Sequence, residues 1–152
     1  MSKRIGIIGA GAAGLFAAGI AGAAGKSALV FEKNKKPGRK LLITGKGRCN
    51  ITNNCSMEEL MSNIPGNGRF LYSAFNKFNN LDIMAFFESI NVPVKTERGN
   101  RVFPVSDRSM DVVNALVNYA KSNGAKFLFE SPVAEICCVN GQVRGVKLKN
   151  ND

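Results

Sequence analysis

Apolar residues in this chain come in short blocks separated by glycine, asparagine and proline. The first block, Ile5-Gly-Ile-Ile8, stops at Gly9, and the small-residue stretch Leu15–Ala24 then reads as a helix. A second apolar run, Ala28–Phe31, ends on the acid Glu32. Short apolar runs bounded by turn residues and separated by a helical stretch predict buried strands, so the chain opens as strand, turn, helix, strand. Further on, Ser56-Met-Glu-Glu59 fits a capping box and predicts a helix to about Asn63. Pro65-Gly-Asn-Gly68 predicts a turn. Leu71, Ala74, Phe75 and Phe78 are spaced as one helix face, and a further helix capped by Asn80 buries Ile83, Phe87 and Ile90, so these phenylalanines read as core. Val92–Thr96 and Arg101–Phe103 predict a hairpin around Arg98-Gly-Asn100 that ends at Pro104. An amphipathic helix follows with Met110, Val113, Leu116, Val117 and Ala120 on one face, Lys121 in its last turn and Gly124 just past its end. Ala125–Phe129 is the next strand, and Val133–Val139 with Gln142–Leu148 forms a hairpin across Asn140-Gly141.

The glycines between the first strand and helix add chemistry to this pattern. They stand at 9, 11 and 14, and Glu32 lies eighteen residues beyond Gly14. A glycine triplet between a strand and a helix, with an acid closing the second strand, is the dinucleotide-binding fingerprint. Gly9 allows the tight turn, Gly11 lets the backbone approach a pyrophosphate, and Gly14 lets the helix pack close to the strand. Free N–H groups at the helix start, Ala13 and Gly14 among them, face the phosphates. Glu32 is placed to accept hydrogen bonds from a ribose diol. The alternative is an ordinary βαβ unit whose glycines serve packing alone. Strand Ala125–Phe129 and the helix before it resume the Rossmann pattern, which makes residues 33–106 an insertion between strands two and three.

Length and composition narrow the class. A chain of 152 residues that is 45% apolar makes one α/β domain with a sizeable core. No apolar stretch reaches the roughly 18 residues of a membrane span, so a cytoplasmic location without membrane contact is expected. Cys49, Cys55, Cys137 and Cys138 form no CxxC pair and are expected as free thiols, and no metal site is expected. The chain has no histidine, which excludes Ser-His-Asp and Cys-His catalysis by its own residues.

Net charge is +10, and seven basic residues without an acid lie between Lys33 and Arg48: Lys33, Lys35, Lys36, Arg39, Lys40, Lys46 and Arg48. Such a run can serve nucleic acid, cofactor phosphates or solvent. Its place directly after Glu32 favours the phosphates of a dinucleotide, and ranks nucleic acid below it. The run sits in a long glycine-rich loop, Asn34–Asn50, whose apolar centre Leu41–Ile43 argues for order. Gly45 and Gly47 flank Lys46, and backbone N–H groups exposed at glycines beside basic side chains suit an anion.

Taken together, Gly9-Ala-Gly-Ala-Ala-Gly14 with Ala18, Glu32-Lys33, the block Gly38–Asn53 and the block Arg101-Val-Phe-Pro-Val-Ser-Asp-Arg-Ser109 resemble the BaiN/RdsA-like family of bacterial FAD/NAD(P)-binding flavoproteins, also called aminoacetone oxidase-like. The likeness runs from residue 3 to about 148, and the second and third blocks are the specific ones. It implies a Rossmann-like FAD-binding domain of the glutathione-reductase type, with a helical insertion and a β-hairpin or meander. In that reading Gly9, Gly11, Ala13 and Gly14 hold the pyrophosphate and Glu32, beside Lys33, the adenosine ribose. Arg39, Lys40, Gly45, Gly47, Arg48, Cys49 and Asn50 lie along the phosphates and flavin tail, and Val133 offers its backbone to the adenine. NAD(P)H is a possible electron donor, and the substrate is a small organic molecule: family activities include reduction of conjugated enones such as 3-dehydro-bile acids, and amine oxidation. Family members are much longer, with a substrate domain and a C-terminal return that supplies a last strand and helix. Against that pattern the chain reads as C-terminally incomplete, its partner being the missing part of its own fold. No catalytic residue can be named from the sequence. An NAD-binding dehydrogenase domain and a basic nucleic-acid-binding module are the alternatives.

Overall fold

The chain begins with β1 (Ile5–Ile8), α1 (Ala12–Ala23), β2 (Ala28–Phe31), α2 (Arg39–Ile43) and β3 (Thr52–Asn53). It continues through α3 (Met57–Ser62), α4 (Tyr72–Lys77), α5 (Asn80–Ser89), β4 (Val94–Glu97) and β5 (Arg101–Pro104). It closes with α6 (Ser109–Ser122), β6 (Lys126–Leu128), β7 (Val133–Val139) and β8 (Gln142–Leu148). The computed structural model describes residues 4–149. The elements form two units, Met1–Leu41 with Val113–Asp152, and Leu42–Val112.

The first unit is built on a parallel sheet of order β1-β2-β6. Ile5 to Ile8 pair with Ala28 to Phe31, and Leu29 to Phe31 pair with Lys126 to Leu128. Strand β6, within the strand expected over Ala125–Phe129, joins β2. Helix α1 begins earlier than Leu15: Gly11 is extended (φ −81°, ψ −172°), and the Leu15 N–H donates to the Gly11 carbonyl. It buries Leu15, Ala18 and Gly19. Its small residues permit close approach to the end of α6, since a methyl at Gly19 would overlap the Tyr119 ring and one at Gly22 the Asn123 carbonyl. Hairpin β7–β8 turns through Asn140 and Gly141, both at positive φ (50° and 72°), as a two-residue primed turn requires.

The inner face of α6 keeps Val113, Leu116 and Ala120 as expected and differs at its start. Val112 is buried and Met110 is 42% exposed, because the stripe starts at Ser109 and runs through Val112, Val113, Leu116 and Ala120.

The second unit has an antiparallel sheet of order β3-β5-β4, with Thr52 opposite Val102 and Val94 opposite Pro104. Phe87, Val92, Val102, Phe103 and Cys49 are buried in it. The expected hairpin around Arg98–Asn100 and the Ser56–Glu59 capping box are both present. Helix α5 is capped by Asn79 rather than Asn80. The Asn79 side chain accepts from the Leu81 and Asp82 N–H groups, while the buried Asn80 amide donates to the Asn53 and Cys55 carbonyls, 2.8 Å each. The expected helix face from Leu71 to Phe78 is interrupted. Residues Gly68–Leu71 form a 3-10 turn and α4 ends at Lys77. Helical spacing therefore does not hold across the segment, and Phe78 is 37% exposed rather than core.

Candidate functional site

The glycine turn and the end of β2 are locked together by backbone bonds. The Gly9 N–H donates to the Phe31 carbonyl (2.7 Å), and Gly9 has φ +98°, open to glycine at little cost. The buried Ala10 is held at both ends of its backbone: its N–H donates to Glu32 Oε2 (2.7 Å), and its carbonyl accepts from the Gly38 N–H (2.8 Å). Gly38 itself has φ +68°.

Helix α1 starts with no side-chain cap and no acid in its first turn. The N–H groups of Ala12, Ala13 and Gly14 precede the first intrahelical bond, so they and the positive end of the helix dipole are available to an anion. At Gly11 an added Cβ would meet nothing within 4 Å, so the space over this peptide is open. At Gly14 an added Cβ would overlap the Gly9 carbonyl oxygen and lie 3.1 Å from its carbon. Gly11 thus keeps space free for a ligand, whereas Gly14 permits the helix to reach the strand.

Glu32 ends β2 and is 6% exposed. Burial by itself would raise its carboxyl, but hydrogen bonds from the Asn34 N–H, the Ala10 N–H and the Asn34 amide, with the Lys33 charge, hold it below the ordinary glutamate range. Asn34 was not among the residues expected from sequence. It donates twice to Glu32 Oε1, from its N–H (2.8 Å) and from Nδ2 (2.6 Å). Its position two residues after an acid is the signal that could have found it, since a side-chain carboxylate in a turn can accept from the N–H two residues on. Lys33, Arg39 and Lys40 are exposed, and Val133 opens β7, paired with Leu148.

The expected loop residues of the second unit form their own cluster. Thr44–Gly47 is a 3-10 turn in which Gly45 and Lys46 have left-handed backbones, followed by Gly47 at φ +86° and Cys49 at φ +65°. An added Cβ at Gly45 would sit 2.9 Å from the Phe103 ring and 3.0 Å from the Asn50 nitrogen. Arg48 does not extend into solvent. Its Nη1 donates to Glu97 (2.9 and 3.1 Å) and Asp107 (3.2 Å), and its guanidinium lies 3.9 Å over the Phe103 ring, a cation–π contact. Lys95 completes a four-charge group through Asp107 (2.6 Å) and Glu97 (3.4 Å). A hydrogen bond from Lys95 keeps Asp107 below the usual carboxylate range. Cys49 is buried and burial pushes its thiol up, so it stays protonated and packs rather than reacts. With its amide oriented to satisfy its neighbours, Asn50 donates to the Val102 and Thr52 carbonyls.

All four cysteines are free thiols. Among the described residues no cluster of three or more His, Cys, Asp or Glu is placed to hold a metal, and no helix is long and apolar enough to cross a membrane.

Comparison with known proteins places this geometry. Residues 3–152 match the model of the HI0933-like protein Rossmann domain. The chain is 33% identical over 130 residues to the ribosomal RNA dihydrouridine synthase of Escherichia coli K12, covering 86% of this chain and 32% of that protein. It is 36% identical over 119 residues to the 3-dehydro-bile acid delta(4,6)-reductase of Clostridium scindens, covering 75% of this chain and 28% of that one. The chain thus spans about a third of the length of these relatives. Among solved structures, 3-ketosteroid-delta4-(5alpha)-dehydrogenase from Rhodococcus jostii RHA1 has a TM-score of 0.76 at 15% identity, over 98% of this chain and 43% of that one. THI4 of Thermovibrio ammonificans has 0.61 at 14%, over 97% and 46%. At such identities the likeness is one of fold.

Proposed function

This chain belongs to the HI0933-like family, and from that premise we propose that it holds the cofactor of a flavin-dependent oxidoreductase, its first βαβ unit taking the ADP half of FAD. The family and the Rossmann-like FAD-binding fold stand on the matches. The finer assignment rests on one observation: the uncapped start of α1, with open space at Gly11, lies two residues past Ala10, whose N–H is bound to the Glu32 carboxylate. Donors for a pyrophosphate and an ionised acceptor for a ribose are thereby in place, and these residues fit the group. Gly9, Gly11, Ala13 and Gly14 would hold the pyrophosphate and Glu32 the ribose, with Lys33, Arg39 and Lys40 adding positive potential. The bound flavin would supply the redox chemistry, while the protein binds and orients it.

Reduction or oxidation of a small organic substrate, with NAD(P)H as donor for a reduction, is the activity we assign. The two relatives act, by their names, on ribosomal RNA and on a 3-dehydro-bile acid. Among the described residues β1 pairs with β2 alone, and Ile5 and Ile8 are exposed. We read its other edge as the place where a further parallel strand of the same fold adds.

The test is an absorbance spectrum of the purified protein before and after addition of FAD. The two visible flavin bands, retained through desalting, are expected. A colourless protein that takes up no FAD would overturn the proposal. A second reading, binding of RNA by the basic run after Glu32, predicts affinity that falls steeply over a modest rise in salt; retention of FAD should survive that rise.

A further inference from the structure

The hydrogen bonds of the Glu32 carboxylate limit what it can offer a ligand. An ionised carboxylate has about four acceptor positions, two on each oxygen. At Oε1 both are taken by Asn34, through its N–H and its Nδ2. At Oε2 one is taken by the Ala10 N–H. Counting the bonds of the described residues, one position remains, on an oxygen of a residue that is only 6% exposed, whereas a ribose presents two hydroxyls. We propose that Asn34 is a specificity-determining residue: by occupying Oε1 it makes Glu32 an acceptor for a single hydroxyl of the adenosine ribose.

This deepens the nucleotide-binding reading above and rests on it. Asn34 acts through Glu32. Its Nδ2 bond closes the Oε1 side to ligand, while its backbone bond stays whatever side chain stands at 34. Losing the Nδ2 bond therefore frees one position on Oε1 and opens the carboxylate to the second hydroxyl. A shorter side chain that still donates, such as serine, should keep Oε1 closed.

The experiment is calorimetric titration of the full chain with ADP, 2′-deoxy-ADP and 3′-deoxy-ADP, none of which requires turnover. For the wild type, one deoxy analogue should bind as ADP does and the other about tenfold more weakly, the effect of one hydrogen bond. In Asn34→Ala both analogues should bind more weakly than ADP, and Asn34→Ser should restore the wild-type pattern. Two equally weakened analogues in the wild type would overturn the inference while leaving the nucleotide site standing, and that comparison needs no variant to fold. An Asn34→Ala protein with the wild-type pattern would also overturn it. A wild type that binds neither ADP nor FAD would remove the underlying reading, and the inference with it.

Discussion

Gly11 and Gly14 lie three residues apart in one motif, yet the structure assigns them opposite sensitivities to the same substitution. In Gly14→Ala the added methyl would overlap the Gly9 carbonyl oxygen, 3.1 Å from the Gly9 carbonyl carbon and 3.3 Å from Ile7 Cγ2. The obstacle is strand-end backbone, which cannot rotate away as a side chain could, so α1 must move off β1. Overpacking of a tight site costs about 1–3 kcal/mol, and a backbone obstacle puts this case at the upper end, about 3 kcal/mol. For a chain of this size that lowers the melting temperature by about 6–12 °C. Gly11→Ala meets nothing within 4 Å, and its backbone (φ −81°, ψ −172°) is open to alanine. Folding should be unharmed or gain about 0.4–1 kcal/mol from a less flexible unfolded chain. The same methyl fills the space over which a pyrophosphate would approach, and FAD affinity should fall by at least about tenfold, 1.4 kcal/mol. Thermal melts without ligand and FAD titrations on both variants separate the two effects. A Gly14→Ala protein that melts with the wild type, or a Gly11→Ala protein with undiminished FAD affinity, would refute the reasoning.

Other perturbations follow from the same contacts. Because the Glu32 carboxyl is held below its ordinary range when folded, it adds stability above the unfolded glutamate value of about 4.3 that is lost as pH falls through the lower folded value. Glu32→Gln should therefore be less stable than wild type at neutral pH, with the gap closing in acid; denaturant melts across pH would show a constant gap if the carboxylate carries no such role. Asp107→Asn keeps a residue that tolerates the φ of +54° there but leaves Arg48 and Lys95 sharing Glu97. Its melting temperature should drop at low salt, and the drop should shrink as salt screens the charges; a salt-independent difference would count against the ion pairs. Gly22→Ala places a methyl against the Asn123 carbonyl and should destabilise the first unit, whereas Gly141→Ala, with open space around it but φ +72°, should cost only about 1–2 kcal/mol of backbone strain. Equal losses in the two melts would show that space does not decide the matter.

Much of the geometry around the candidate nucleotide site was legible in the chain because its signals are local. Gly9, Gly11 and Gly14 act on backbone within a few residues, and Glu32 is marked by ending an apolar run. The Asn140-Gly141 hairpin and the Ser56–Glu59 capping box were readable for the same reason. Departures arose where a short-range rule met a competing one: a 3-10 turn broke the helical spacing before Phe78, and the buried stripe of α6 took its phase from Ser109 rather than Met110.

The sequence by itself determined a βαβ unit with an uncapped helix start after its glycine turn and an acid at the end of its second strand, since each depends on neighbours along the chain. Tertiary structure alone decided what those groups touch. Ala10 reaches Glu32 across 22 residues, and Arg48 reaches Glu97 and Asp107 across 49 and 59. Such partners are chosen by strand pairing and by turns of fixed backbone sign, which bring together side chains that no local pattern relates. Arg48, expected from the sequence along the flavin tail, lies between two carboxylates and the Phe103 ring, contacts that no local pattern announced.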